Sequence, residues 1–68
     1  MAAQETELEM VRRHVREGEA RVTRQREIVA GLPGDSDLRD MAESFLGDLE
    51  NVLRQHKVHL ARIEGKDL

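Results

Sequence analysis

Apolar positions fall into two long runs of helical spacing separated by one short break. From residue 8 onward, Leu8, Val11, Val15, Gly18, Val22, Gln25, Val29 and Leu32 follow one another at alternating steps of three and four. That is the heptad spacing of a helix that packs along one narrow seam. With Leu8 at position a, the a row is Leu8, Val15, Val22 and Val29, and the d row is Val11, Gly18, Gln25 and Leu32. The a row is wholly apolar; the d row is interrupted by a glycine and an amide. The second run places Leu38, Met41, Ala42, Phe45, Leu46, Leu49, Val52, Leu53, Leu60 and Ile63 on one broad face. Two overlapping seams fit this face, one through Phe45 and Val52, the other through Leu46 and Leu53. A stripe wider than about 100° is expected of a helix that meets more than one neighbour.

The break holds Gly31, Pro33 and Gly34, followed by Asp35, Ser36 and Asp37. Gly31 is suited to the left-handed C-terminal cap, Leu32 to folding back inward, and Pro33 forbids continuation of the helix. Ser36 is the expected N-cap of the second helix, with Asp37 and Asp40 adding negative charge to its first turn. Thr6 and Glu9 have the spacing of a capping box at the start of the first. The spacing therefore predicts one domain, 1–68, with a helix over 6–31, a turn over 32–35, a helix over 36–64 that Gly65 ends, and a tail over 65–68. The fold class is all-α, a two-helix antiparallel hairpin that dimerises into a four-helix bundle. The expected interface is Phe45, Leu46, Leu49, Val52, Leu53 and Leu60. Gly18 would permit close helix approach, and the buried amide of Gln25 would fix register. An opened, swapped dimer would keep the same seams.

Composition supports this reading. Sixty-eight residues make a core too small to be comfortable alone, and such chains lean on disulfides, metals or oligomerisation. There is no cysteine, so disulfides and thiolate metal sites are closed, and the one aromatic ring of Phe, Tyr or Trp type is Phe45. A net charge of −3 argues weakly against a nucleic-acid or anionic-membrane partner. The basic and apolar pattern of a secretory leader is missing from the first residues, and no run is long and apolar enough to span a membrane. A cytoplasmic location is the expectation. On the first helix, Glu9 with Arg13 and Glu17 with Arg21 have the favourable order for i,i+4 ion pairs.

Three histidines are the most chemically suggestive residues. An antiparallel return at Pro33 and Gly34 places His14 within about a turn of His56, with His59 one turn further along. Three imidazoles at one level would form a zinc site; without them meeting, they are amphipathic boundary residues. No Glu-x-x-His or His-Glu-x-x-His spacing supports the metal reading. The arginines Arg12, Arg13, Arg16, Arg21, Arg24 and Arg26 ring their helix and alternate with Glu17, Glu19 and Glu27. They have no interleaved aromatic for stacking bases, so a solvated surface is the expectation over a nucleic-acid stripe. Ser44 and Asp48 share the Ser-x-x-x-Asp spacing of small two-helix phosphatases of sporulation response regulators, without the glutamine and leucine between them.

The run His14-Val15-Arg16-Glu17-Gly18-Glu19, then Val22, Arg24-Gln25 and Ile28, resembles a pattern in short uncharacterised helical-hairpin proteins of alphaproteobacteria. The second half is similar too, through Phe45-Leu46, Leu49-Glu50, Leu53 and His56-x-x-His59-Leu60. The resemblance implies a small cytoplasmic bacterial protein, brings no established activity, and places Gly18, Gln25 and the histidines within the pattern. The expected function is that of a non-enzymatic interaction or regulatory protein that self-associates and binds another protein, without a cofactor. A histidine-dependent metal-binding bundle and a nucleic-acid-associated helical protein are the alternatives.

Overall fold

The helical patterning is realised as two α-helices that return on each other. The computed structural model describes residues 4–66; the expected tail beyond Lys66 lies outside them. Helix α1 spans Glu7–Ala30 and α2 spans Asp37–Lys66. Among the described residues there is no strand. Nor, among the described residues, is any helix long and apolar enough to cross a membrane.

Both helix starts are set by side chains. Thr6 is the N-cap of α1: its Oγ1 accepts from the Glu9 amide at 3.1 Å, and the Glu9 carboxylate accepts from the Thr6 amide at 3.3 Å. This is the reciprocal capping box, which satisfies two amides that have no partner inside the helix. At α2, Ser36 Oγ accepts from the Arg39 amide at 3.1 Å and donates to the Pro33 carbonyl at 3.0 Å. One hydroxyl thus caps the helix and fastens the turn. The Arg39 guanidinium closes the turn from the other side, donating to the Leu32 carbonyl at 3.1 Å.

The helix ends differ from the glycine-based expectation. Gly31 lies at φ −85°, ψ −5°, in the right-handed region, and its amide shares the Glu27 and Ile28 carbonyls. The tightened last turn satisfies these carbonyls, so the left-handed conformation is not needed. Gly65 does not stop α2, which continues to Lys66. A glycine is compatible with helical φ and costs only propensity there.

The seam of α1 is buried as its spacing dictates: Val11, Val15, Val22, Gln25 and Val29 are covered, with Leu8, Gly18 and Leu32 half-buried. On α2, among the described residues, Leu53 is the one buried hydrophobic. It packs with Val15 and Val22, and Leu46, Leu49 and Leu60 close around that cluster. Gly18 faces Leu53 directly: a Cβ at residue 18 would lie 2.9 Å from Leu53 Cδ1, whereas nothing stands within 4 Å of one at Gly47.

The two glycines therefore have opposite expected responses. Gly47→Ala should stabilise the protein by about 1 kcal/mol, the helix-propensity difference. Gly18→Ala should show no such gain, because Leu53 has to shift, and Gly18→Val should cost about 1–3 kcal/mol through overpacking. Urea unfolding of the three variants checks this.

Candidate functional site

Helix pairing divides the hairpin into two unlike sides. Looking outward from the seam, one side is charged. Arg26 pairs with Glu50 at 3.0 Å and Arg12 with Glu64 at 3.3 Å, and Arg54 and Lys57 stand beside the first pair along an open groove with Val22 and Leu53. These are exposed pairs, each worth little on its own.

The other side is apolar toward the turn and carries imidazoles toward the chain ends. Leu38, Met41, Phe45 and Val52 run along α2 at helical spacing and are 61%, 69%, 53% and 48% exposed. Ile28 on α1 stands at the same edge as Phe45 and Leu49. Further along, an open groove of about 270 Å³ is flanked by His14, Gly18 and Arg21 on one helix and by Leu49, Val52 and His56 on the other. The two rings His14 and His56 meet across it, with centroids 5.0 Å apart and planes tilted by 59°.

The residues singled out from sequence separate accordingly. Of the six expected interface residues, Leu46, Leu53 and Leu60 serve the chain's own core, while Phe45 and Val52 stand out from it and Leu49 lies half-buried between the two roles. The broad face of α2 is thus split between α1 and solvent. Gln25 is buried, and its Nε2 donates to the Ala42 carbonyl of α2 at 2.9 Å. That bond ties one rung of α1 to one rung of α2.

His14 and His56 come together, but His59 does not join them. It lies on the outer edge with its Nε2 3.4 Å from Glu7 Oε1. Among the described residues no three His, Asp or Glu side chains converge as a metal site. Ser44 and Asp48 are both exposed on α2, and the hairpin is 13 Å in its thinnest dimension. The exposed ridge that includes Leu38, Met41 and Ile28 extends beyond the residues the seam reasoning selected. Leu38 and Met41 share the helical spacing of Phe45 and Val52, which was the available signal.

The ion pairs of α1 also differ from expectation. Glu9 is held by the capping box, so Arg13 turns instead to Glu5, with two bonds of 3.0 Å, and to Glu17 at 3.1 Å. Hydrogen bonding to the Arg13 guanidinium holds both carboxylates below their ordinary range and raises the already high pKa of Arg13.

A carboxylate with a depressed folded-state pKa stabilises the fold above its unfolded value and loses that contribution as pH falls through the folded one. The melting temperature should therefore fall below about pH 4, and Arg13→Gln should flatten that part of the pH profile; calorimetry between pH 3 and 6 reads both. Gln25→Glu keeps the shape but sets an acceptor against the Ala42 carbonyl. It should lower the melting temperature at pH 7, with the deficit shrinking toward acid pH, where the carboxyl can donate.

Comparison with protein-family models, with curated proteins and with solved structures finds no match to this chain.

Proposed function

We propose that the chain is a non-enzymatic interaction protein that acts as a homodimer, in which two hairpins associate through the exposed ridge of α2 into a four-helix bundle. The observation that carries this reading is the ridge itself: Leu38, Met41, Phe45 and Val52 are all about half or more exposed along one line of α2, with Ile28 beside it. A contiguous apolar surface on a small chain marks an interaction site, and among the described residues the hairpin's own core comprises just five buried hydrophobic residues, Val11, Val15, Val22, Val29 and Leu53. A second copy adds the missing layer.

Charge favours a second copy laid antiparallel. Residues 35–50 carry six acidic side chains and one arginine, whereas residues 51–66 carry four basic side chains and one glutamate. A two-fold axis between residues 48 and 49 sets each acidic half beside the basic half of the other copy, a complementarity that fixes register and suppresses the parallel alternative. Phe45 then meets Val52 of the other copy, Met41 meets His56, and Asp37 falls beside Arg62. From Leu38 to His59 this contact runs about 32 Å at 1.5 Å per residue. The charged side of each hairpin remains outward for a further protein partner.

Sedimentation equilibrium should give a dimer at micromolar concentration and a monomer for Phe45→Glu; a folded wild-type monomer overturns the association. Because the chain has no cysteine, single thiols report orientation. Asp48→Cys should oxidise readily to a linked dimer and Met41→Cys should not; the reverse result overturns the antiparallel register while keeping the dimer.

A further inference from the structure

The imidazoles of His14 and His56 face each other across the two helices. Among the described residues, no side-chain hydrogen bond engages either ring. Both side chains are half-buried, one from each helix, and both line the open groove beside Gly18. Imidazole nitrogens so placed retain their lone pair or proton for an external partner.

Their separation fits a particular partner. For two imidazoles bound to one ion at metal–nitrogen distances near 2.0–2.1 Å, the ring centroids lie about 4.5–5.2 Å apart as the angle at the metal opens from roughly 90° to 109°. The observed separation is 5.0 Å, with the rings tilted by 59°. The two rings, one on each helix and with no side-chain hydrogen bond among the described residues, thus stand at a separation that a shared ion permits. The Glu17 carboxylate and the Arg21 guanidinium both line the groove, and Arg13 holds Glu17 at 3.1 Å, so neither is counted in the ligand set.

We infer that His14 and His56 form a two-imidazole clamp for a divalent transition cation of the zinc, nickel or copper type, with water completing the coordination in the open groove. Imidazole suits these ions and not magnesium or calcium. The clamp takes both ligands from one chain, so it does not need the dimer, although the proposed dimer sets Met41 of the other copy against His56 at the edge of the same groove. Its effect is to cross-link the two helices on the side opposite the Arg26–Glu50 pair, at a level where the covalent turn is about five helical turns away.

The test is thermal unfolding of the tag-free full chain with zinc chloride or nickel chloride alone, at saturating concentration, against a chelator control. Binding to the folded state should raise the melting temperature by about 5 °C or more. His14→Gln and His56→Gln should each lose that rise, with melting in chelator as the control that they fold, while His59→Gln should keep it. An unchanged wild-type melting temperature overturns the clamp. So does a rise retained in either the His14 or the His56 variant, and so does one lost in the His59 variant, which would move the ligand set to the outer edge. Magnesium at the same concentration should produce no shift.

Discussion

Leu53 reaches into the space where Gly18 has no side chain, and most of the architecture depends on that contact. Small valines at the a positions of α1 and a glycine at d let α2 approach closely. Close approach shields the seam but leaves little volume between the helices, so among the described residues one hydrophobic side chain of α2 is buried. Leu46, Leu49 and Leu60 close around it, and Leu38, Met41, Phe45 and Val52 are left exposed on one flank. The exposed ridge and the narrow core are thus two results of one choice of spacing.

Polar contacts then fix what the small core leaves loose. The Gln25 amide on the Ala42 carbonyl sets the level of one helix against the other. An amide bonded to a backbone carbonyl tolerates no slip of a residue without leaving a buried donor unpaired, which is a steeper penalty than valines sliding over leucines would impose. The same register brings His14 to His56 and Arg26 to Glu50.

Much of this was legible in the chain. The unbroken alternation of threes and fours marked α1 and its buried side, Thr6 with Glu9 marked its start, and the sense of return at Pro33 and Gly34 placed two of the histidines together. What was not legible depended on rotation and competition. Overlapping seams on α2 do not say which seam α1 takes; that is decided by the angle at which Leu53 meets Gly18. Pairing rules on a helix do not foresee that Glu9 is already occupied by Thr6, which sends Arg13 to Glu5. His59 follows the same logic, because one further turn carries it around the cylinder toward Glu7 and away from the other rings.

The fastening of the hairpin is uneven along its length. Near the turn, Ser36, Arg39 and Gln25 make four hydrogen bonds that involve backbone groups. At the open end the cross-helix links are the solvent-exposed pairs of Arg12 with Glu64 and Glu7 with His59. Opening therefore starts at the free ends and travels toward the turn, in the manner of a zipper. Amide hydrogens near the chain ends should exchange through local fraying at low free-energy cost, while those flanking the turn wait for global unfolding. The same gradient run backward is a folding route: contacts closest in sequence form first, and each later rung closes a loop that the previous one has already shortened.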